Sequence, residues 1–177
     1  MSQPVSGKSV CSGERPAKRR TDYKAPEDMK LDPSQKYRAT IETVKGTIQA
    51  ALDPKLAPKH VNSFVFLACQ GYFDGLTFHR HEPGFVIQGG DPSGNGSGGP
   101  GYRLPAEFNT TLHTEGILSM ARTGDPNSAG SQFFIMLGRA PHLDRQYTVF
   151  GKVISGMEVV NQIRARDTIK SVTITAQ

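Results

Sequence analysis

The sequence predicts an all-β fold with two helices, arranged as an antiparallel barrel or sandwich. Three features carry that prediction. Short runs with β-like alternation recur along the chain, and Gly and Pro turns separate them. Only two segments show helical spacing, so the strand–helix alternation of a parallel sheet is missing. The 177 residues suit one globular unit with an extension. The 19 Gly and 12 Pro stay below the share, about 25–30%, that marks low-complexity disorder.

The elements follow in order. Tyr37, Ala39 and Ile41 alternate with polar partners, Lys45-Gly46 offers a turn, and Ile48, Ala50 and Leu52 alternate again. That is a β-hairpin. From Pro58 to Gln70 the residues Val61, Phe64, Val65 and Ala68 recur at helical spacing, and Gly71 stands where a C-terminal cap belongs. Five short strand-like runs come next: 76–81, 84–90, 116–121, 132–137 and 147–154. A second, short helix spans Met157 to Ile163, and Ile169, Val172 and Ile174 mark a closing strand. No apolar run approaches the roughly 18 residues of a membrane-spanning helix.

Residues 1–36 read differently. Ser, Gly, Pro and charged residues dominate there and bury too little apolar surface to fix a backbone. The expectation is a flexible basic tail, with the folded domain at 37–177. The formal net charge of +5 sits mainly in residues 1–20 of this tail, where Lys8, Arg15, Lys18, Arg19 and Arg20 face Glu14 alone. The remainder is close to neutral, so the charge is weak support for a nucleic-acid partner, which is not expected. The run Lys18-Arg19-Arg20 would be a nuclear address only in a cell with a nucleus. No apolar signal segment precedes the domain, so the reading is cytoplasmic, in a reducing compartment, with Cys11 and Cys69 as free thiols.

Several chemistries lack support. Gly94, Gly96 and Gly99 satisfy the dinucleotide-binding spacing, but Pro100, Gly101 and Pro105 follow where a helix must start. His79 and His81 share a strand face, yet Glu82 points away from it and the next histidine is far along the chain, so no metal is expected. No G-x-S-x-G occurs to support a serine nucleophile. More informative is Arg80, which the alternation places on one face with Leu76 and Phe78. Gln132 and Phe134 share a face, as do Val86 and Gln88. An apolar groove with one guanidinium and two amides holds no base, because a guanidinium offers five donors and no acceptor. Such a groove suits binding, or a reaction driven by shape and electrostatics.

The segment Phe78-His-Arg-His-Glu-Pro-Gly-Phe-Val-Ile-Gln-Gly-Gly-Asp91 resembles the signature of the cyclophilins, the cyclosporin-binding class of peptidyl-prolyl cis-trans isomerases. Gly116–Ala121, Gly130–Ile135 and Val149–Val153 resemble three further motifs of that family, in family order. The resemblance covers about residues 37–175. It implies a closed eight-stranded antiparallel β-barrel capped by two α-helices, with the groove on its outer surface, and a monomer that assists protein folding without a cofactor. It implies Arg80 as the catalytic residue and Phe85, Val86, Phe134 and Leu143 around the prolyl ring. Gln88, Gln132 and the stretch Ala121, Arg122 and Thr123 would hold the flanking peptide. The partners implied are proline-containing peptides and unfolded or flexible protein segments. A non-catalytic proline-peptide binding module is the alternative.

This chain departs from the common family pattern in places. His142 stands where many members carry a Trp that contacts cyclosporin, which implies weak cyclosporin binding. Tyr147 stands for His, Val86 for a larger Met and Arg122 for Asn, and the segment Thr123 to Ala129 is slightly longer. The catalytic position is kept.

Overall fold

A computed structural model describes residues 7–177. The first hairpin forms as the alternation requires: β1 (Tyr37–Thr43) pairs antiparallel with β2 (Gly46–Leu52), with Ala39 opposite Ala50 and Ile41 opposite Ile48. Those four side chains are buried. The turn needs Gly46, whose φ of 132° is closed to most L-residues.

Helix α1 (Pro58–Cys69) starts on a proline, whose missing N–H costs nothing in the first turn. Ala57 precedes it and has no side-chain oxygen to cap the helix. Glu107 does this from a distant loop, accepting the N–H groups of His60 (2.8 Å) and Lys59 (3.2 Å). At the other end Gly71, with φ 68°, and Tyr72 donate back to Ala68 O and Leu67 O in a Schellman motif. The buried face drives Phe64 into the core, where its ring lies 4.9 to 5.5 Å from those of Phe73, Phe150 and Phe133. Aromatic pairs at these spacings add about 0.5–1.5 kcal/mol each beyond area burial.

The remaining elements are β3 (Phe78–Glu82), β4 (Val86–Gly89), β5 (Ile117–Met120), β6 (Phe133–Met136), β7 (Val149–Ser155), α2 (Met157–Gln162) and β8 (Ile169–Ala176). The strands match the expected runs to within two residues at each end. A 3₁₀ turn at Pro141–Leu143 was not expected. All pairings are antiparallel, in the order β3-β4-β6-β5-β7-β2-β1-β8.

The closed barrel is not what forms. The sheet is a strongly curled, open half-barrel whose edge strands β3 and β8 do not pair along their length. They meet through the residues that lead into them: an isolated bridge joins Thr77 to Thr168, and Ile169 N donates to Leu76 O. The far half of the β8 edge is already occupied. Ser9 bridges Thr175, Val10 N donates to Ile174 O, and Ala176 N donates to Lys8 O. Covering an open edge this way also blocks pairing with another chain.

That contact belongs to the extension expected to be flexible. Residues 1–6 of it lie outside the described residues; from residue 7 onward it is laid along the body. Arg15 pairs with Asp74 at 2.8 Å, and Arg19 Nε donates to Tyr72 O at 2.8 Å. Tyr23 is buried against Phe66, and Met29 N donates to Asn62 Oδ1. The expectation of two free thiols is also overturned. Cys11 and Cys69 form a disulfide, because the arm brings their Cα atoms within 5.2 Å, inside the range a bridge can span.

Candidate active site

The site begins with a bulge. In the β3–β4 ladder Phe78 is opposite Gly89 and Arg80 opposite Gln88, so His79 is the extra residue. Phe78 therefore enters the core beside Phe133, while Arg80 emerges on the other face. This corrects the shared face expected for Leu76, Phe78 and Arg80, since strict alternation holds only in a regular ladder. Val86 and Gln88 share the outer face with Phe134, which lies opposite Gln88, and Gln132 continues that face.

Polar side chains there form a one-way row. Arg80 Nη1 donates to Gln88 Oε1 (3.3 Å), and Gln88 Nε2 donates to Gln132 Oε1 (3.1 Å). Gln132 Nε2 donates to the carbonyls of Gly96 and Gly98 (2.9 Å each). Each amide is thus oriented by its neighbour. The receiving loop is rigid because Asp91 accepts N–H groups from Ser93, Asn95, Gly96 and Gly98. Burial pushes the Asp91 carboxyl up, but those four donors outweigh it and hold it below the ordinary value. Of the dinucleotide-like glycines, Gly96 donates its N–H to this carboxylate and Gly94 donates to the Asp91 carbonyl, so two of the three point their donors inward and not at a phosphate.

Beside this row is a cavity of about 150 Å³, lined by Arg80, Phe85, Val86, Gln88, Ala121, Arg122, Phe134, Leu143 and Tyr147. Arg80 lies over Phe85, 5.8 Å from the ring centre, and Phe85 stacks on His142 at the same distance. Tyr147 meets Phe134 edge-on, and Arg122 caps Tyr147 at 4.4 Å. A second cavity, about 690 Å³, adjoins the first at Gln88, Ala121 and Arg122, and extends over Thr123, Gln132 and the Gly96–Arg103 loop. All the residues expected at the site come together on this face, with His142 at the rim.

Three residues behind the groove were not anticipated. His113 stacks on the back of Phe134, its Nε2 is 2.9 Å from Ser119 Oγ, and Asp144 Oδ1 accepts its backbone N–H at 2.7 Å. The row Ser119, His113, Asp144 has the composition of a hydrolytic triad. His113 and Ser119 are 0% exposed, so no substrate reaches them and they serve to hold Phe134. No sequence motif signals this row. Among the described residues, no group of three or more His, Cys, Asp or Glu gathers to hold a metal ion.

A groove with an aromatic-walled cavity, the guanidiniums of Arg80 and Arg122 and two fixed amides defines a class: a site built for binding by shape and positive charge. Comparison with known proteins makes the class specific. The model of the cyclophilin type peptidyl-prolyl cis-trans isomerase family matches residues 38–176. A peptidyl-prolyl cis-trans isomerase of Synechococcus elongatus is 48% identical over 139 residues, 77% of this chain and 95% of that protein. Peptidyl-prolyl cis-trans isomerase B of Bacillus subtilis is 48% identical over 129 residues, 72% of this chain and 90% of its own. The crystal structure of a Cryptosporidium parvum cyclophilin superposes with a TM-score of 0.76 at 33% identity, covering 80% of this chain and 99% of that one. The chain belongs to the cyclophilin family and is a peptidyl-prolyl cis-trans isomerase.

Proposed function

We propose that Arg80 is the catalytic residue and that the 150 Å³ cavity seats the prolyl ring of the substrate. The cavity is smaller than the roughly 300–1,000 Å³ of sites for drug-sized ligands, as one ring requires. The flanking peptide lies along Gln88, Gln132 and the Ala121–Thr123 stretch. The observation that carries this reading is the placement of Arg80 at the mouth of the cavity, steadied by Gln88 and by Glu82 at 3.4 Å.

The chemistry follows from the bond. Rotation of a peptide C–N bond faces a barrier of about 18–20 kcal/mol because of its partial double-bond character. At X–Pro the isomers differ by only about 0.5–1 kcal/mol yet exchange over tens to hundreds of seconds. In the twisted state the nitrogen recovers its lone pair and becomes an acceptor. An N–H of Arg80 directed at that nitrogen stabilises the twisted state and has nothing comparable to bind in the planar one, which is the condition for catalysis. The apolar walls hold the ring while the carbonyl side rotates.

On this reading the natural substrates are X–Pro bonds in unfolded or flexible protein segments, the enzyme acts as a monomer, and His142 makes cyclosporin a weak ligand. Exchange spectroscopy on a short X–Pro peptide, with protein far below peptide concentration, tests it. Accelerated cis–trans exchange that Arg80→Ala abolishes supports the assignment. Undiminished exchange in the variant overturns it.

A further inference from the structure

The 690 Å³ cavity has one lining residue that does not belong to the isomerase body. Thr21, from the N-terminal arm, lines it together with Gly99, Pro100, Gly101 and Arg103. The arm also supports that loop from behind. Tyr23 N donates to Pro100 O at 2.9 Å, and a Cβ on Gly101 would lie 2.6 Å from Tyr23 O. The arm and the loop are therefore packed backbone to backbone, and one cannot shift without the other. The family match begins only at residue 38, so Thr21 and the arm that carries it lie outside the matched domain.

What holds the arm there is a short series of anchors. Cys11 is bonded to Cys69 at the end of α1. Arg15 pairs with Asp74, and Arg19 donates to the carbonyls of Tyr72 and Asp74. Tyr23 then inserts beside Phe66, 5.1 Å between ring centres. Arg15 and Asp74 are partly exposed, and such a pair adds only about 0–1 kcal/mol. The disulfide is the one covalent restraint, and it limits how far the preceding and following residues can leave the surface.

We propose that the N-terminal arm is a substrate-selectivity element. Thr21 and the loop it supports form one bank of the cavity that receives residues preceding the proline, and the Cys11–Cys69 disulfide pins that bank in place. The proposal rests on the reading of the groove as the peptide site, with the prolyl ring beside Arg80. The bank is polar in composition: Thr21, Gly99, Gly101 and Arg103 line the cavity there. It suits an extended peptide with polar side chains before its proline. Opening the disulfide loosens the arm without touching the residues around the prolyl ring.

The full chain is assayed oxidised and after treatment with a dithiol. In that reaction the dithiol supplies two electrons, the Sγ–Sγ bond breaks, each cysteine sulfur gains a proton, and the reagent ends as its cyclic disulfide. Two peptides are compared, one with several polar residues before its proline and one with a single residue there. The expected result is a KM for the longer peptide raised about fivefold on reduction, the equivalent of about 1 kcal/mol. The short peptide keeps its kcat/KM, and reoxidation restores the long-peptide KM. Cys11→Ser combined with Arg19→Ala, checked for folding by its melting curve, reproduces the reduced behaviour without any reagent. Equal kinetics for both peptides in all states overturn the role of the arm while leaving the groove assignment intact. Failure of the oxidised protein to turn over either peptide overturns the groove assignment instead.

Discussion

Arg80 and Gln88 face each other across the β3–β4 ladder, Nη1 to Oε1 at 3.3 Å, because one extra residue at His79 moves Arg80 out of the core register. Arg80→Ala removes the donor proposed for the prolyl nitrogen, and kcat/KM is expected to fall at least about tenfold, or about 1.4 kcal/mol of transition-state stabilisation. Arg80 is 45% exposed, so the melting temperature is expected to stay within a few degrees of the parent. Gln88→Ala leaves the guanidinium present but less well oriented and deprives Gln132 of its donor. Its loss is expected to be smaller than that of Arg80→Ala. A Gln88→Ala variant as inactive as Arg80→Ala would show that the amide, not the cation, acts on the substrate.

Much of this site was legible in the chain, and the gaps have physical causes. Strand positions were readable because Val86, Ile87, Phe133 to Met136 and Ile117 to Met120 are short apolar runs bounded by Gly, Pro or polar turns. The motif around Arg80 gave the family. The face of Arg80 relative to Phe78 was misread, because a bulge is a property of two paired strands and leaves no mark on the alternation of one. The arm was misread for a related reason. Its composition lacks a core of its own, but Tyr23, Cys11 and Arg19 each find partners on α1 or the turn after it, far along the chain. His113 was invisible as a support for Phe134, since it lies outside every motif and reaches the site only through the curl of the sheet.

His142 offers a test of ligand selectivity. Its imidazole stacks on Phe85 at 5.8 Å at the edge of the prolyl cavity. An indole there would cover more apolar surface and supply an N–H at its tip. His142→Trp is expected to lower the cyclosporin concentration for half-inhibition by about tenfold, with little change in kcat/KM for a short peptide. Titration of both proteins under one assay measures this. Equal inhibition of the two would remove His142 as the reason for weak binding.

Glu107 carries the start of α1. Its carboxylate accepts two backbone N–H groups and lies 2.6 Å from His60 Nδ1, with the His60 side chain wholly buried. Burial pushes the Glu107 carboxyl up, but the bonds from His60 and Lys59 outweigh it and hold it below its ordinary value. Glu107→Ala leaves these donors without partners, at an expected cost of about 1–3 kcal/mol. Glu107→Gln keeps an acceptor and is expected to lose less. Urea unfolding of the three proteins gives the order, and an alanine variant as stable as the parent would refute the capping role.

His113 sets a pH dependence whose sign can be stated. Burial lowers its pKa from 6.5, against the raising effect of Asp144, with Arg139 and His142 lowering it further. The unfolded chain therefore takes up a proton near pH 6.5 that the folded chain resists. Stability is full above that value and declines as pH falls below it, until the folded state also protonates. His79, lowered mainly by burial, contributes in the same direction. Because His113 stacks on Phe134 at 6.1 Å, its protonation also disturbs a wall of the prolyl cavity. Denaturant midpoints taken from about pH 7.5 down to about pH 5.5 are expected to fall for the parent. His113→Asn, less stable at every pH for lack of the ring, is expected to show a shallower slope over that interval. An unchanged slope in the variant would assign the acid sensitivity to His79 or to another group, and would leave His113 a packing role alone.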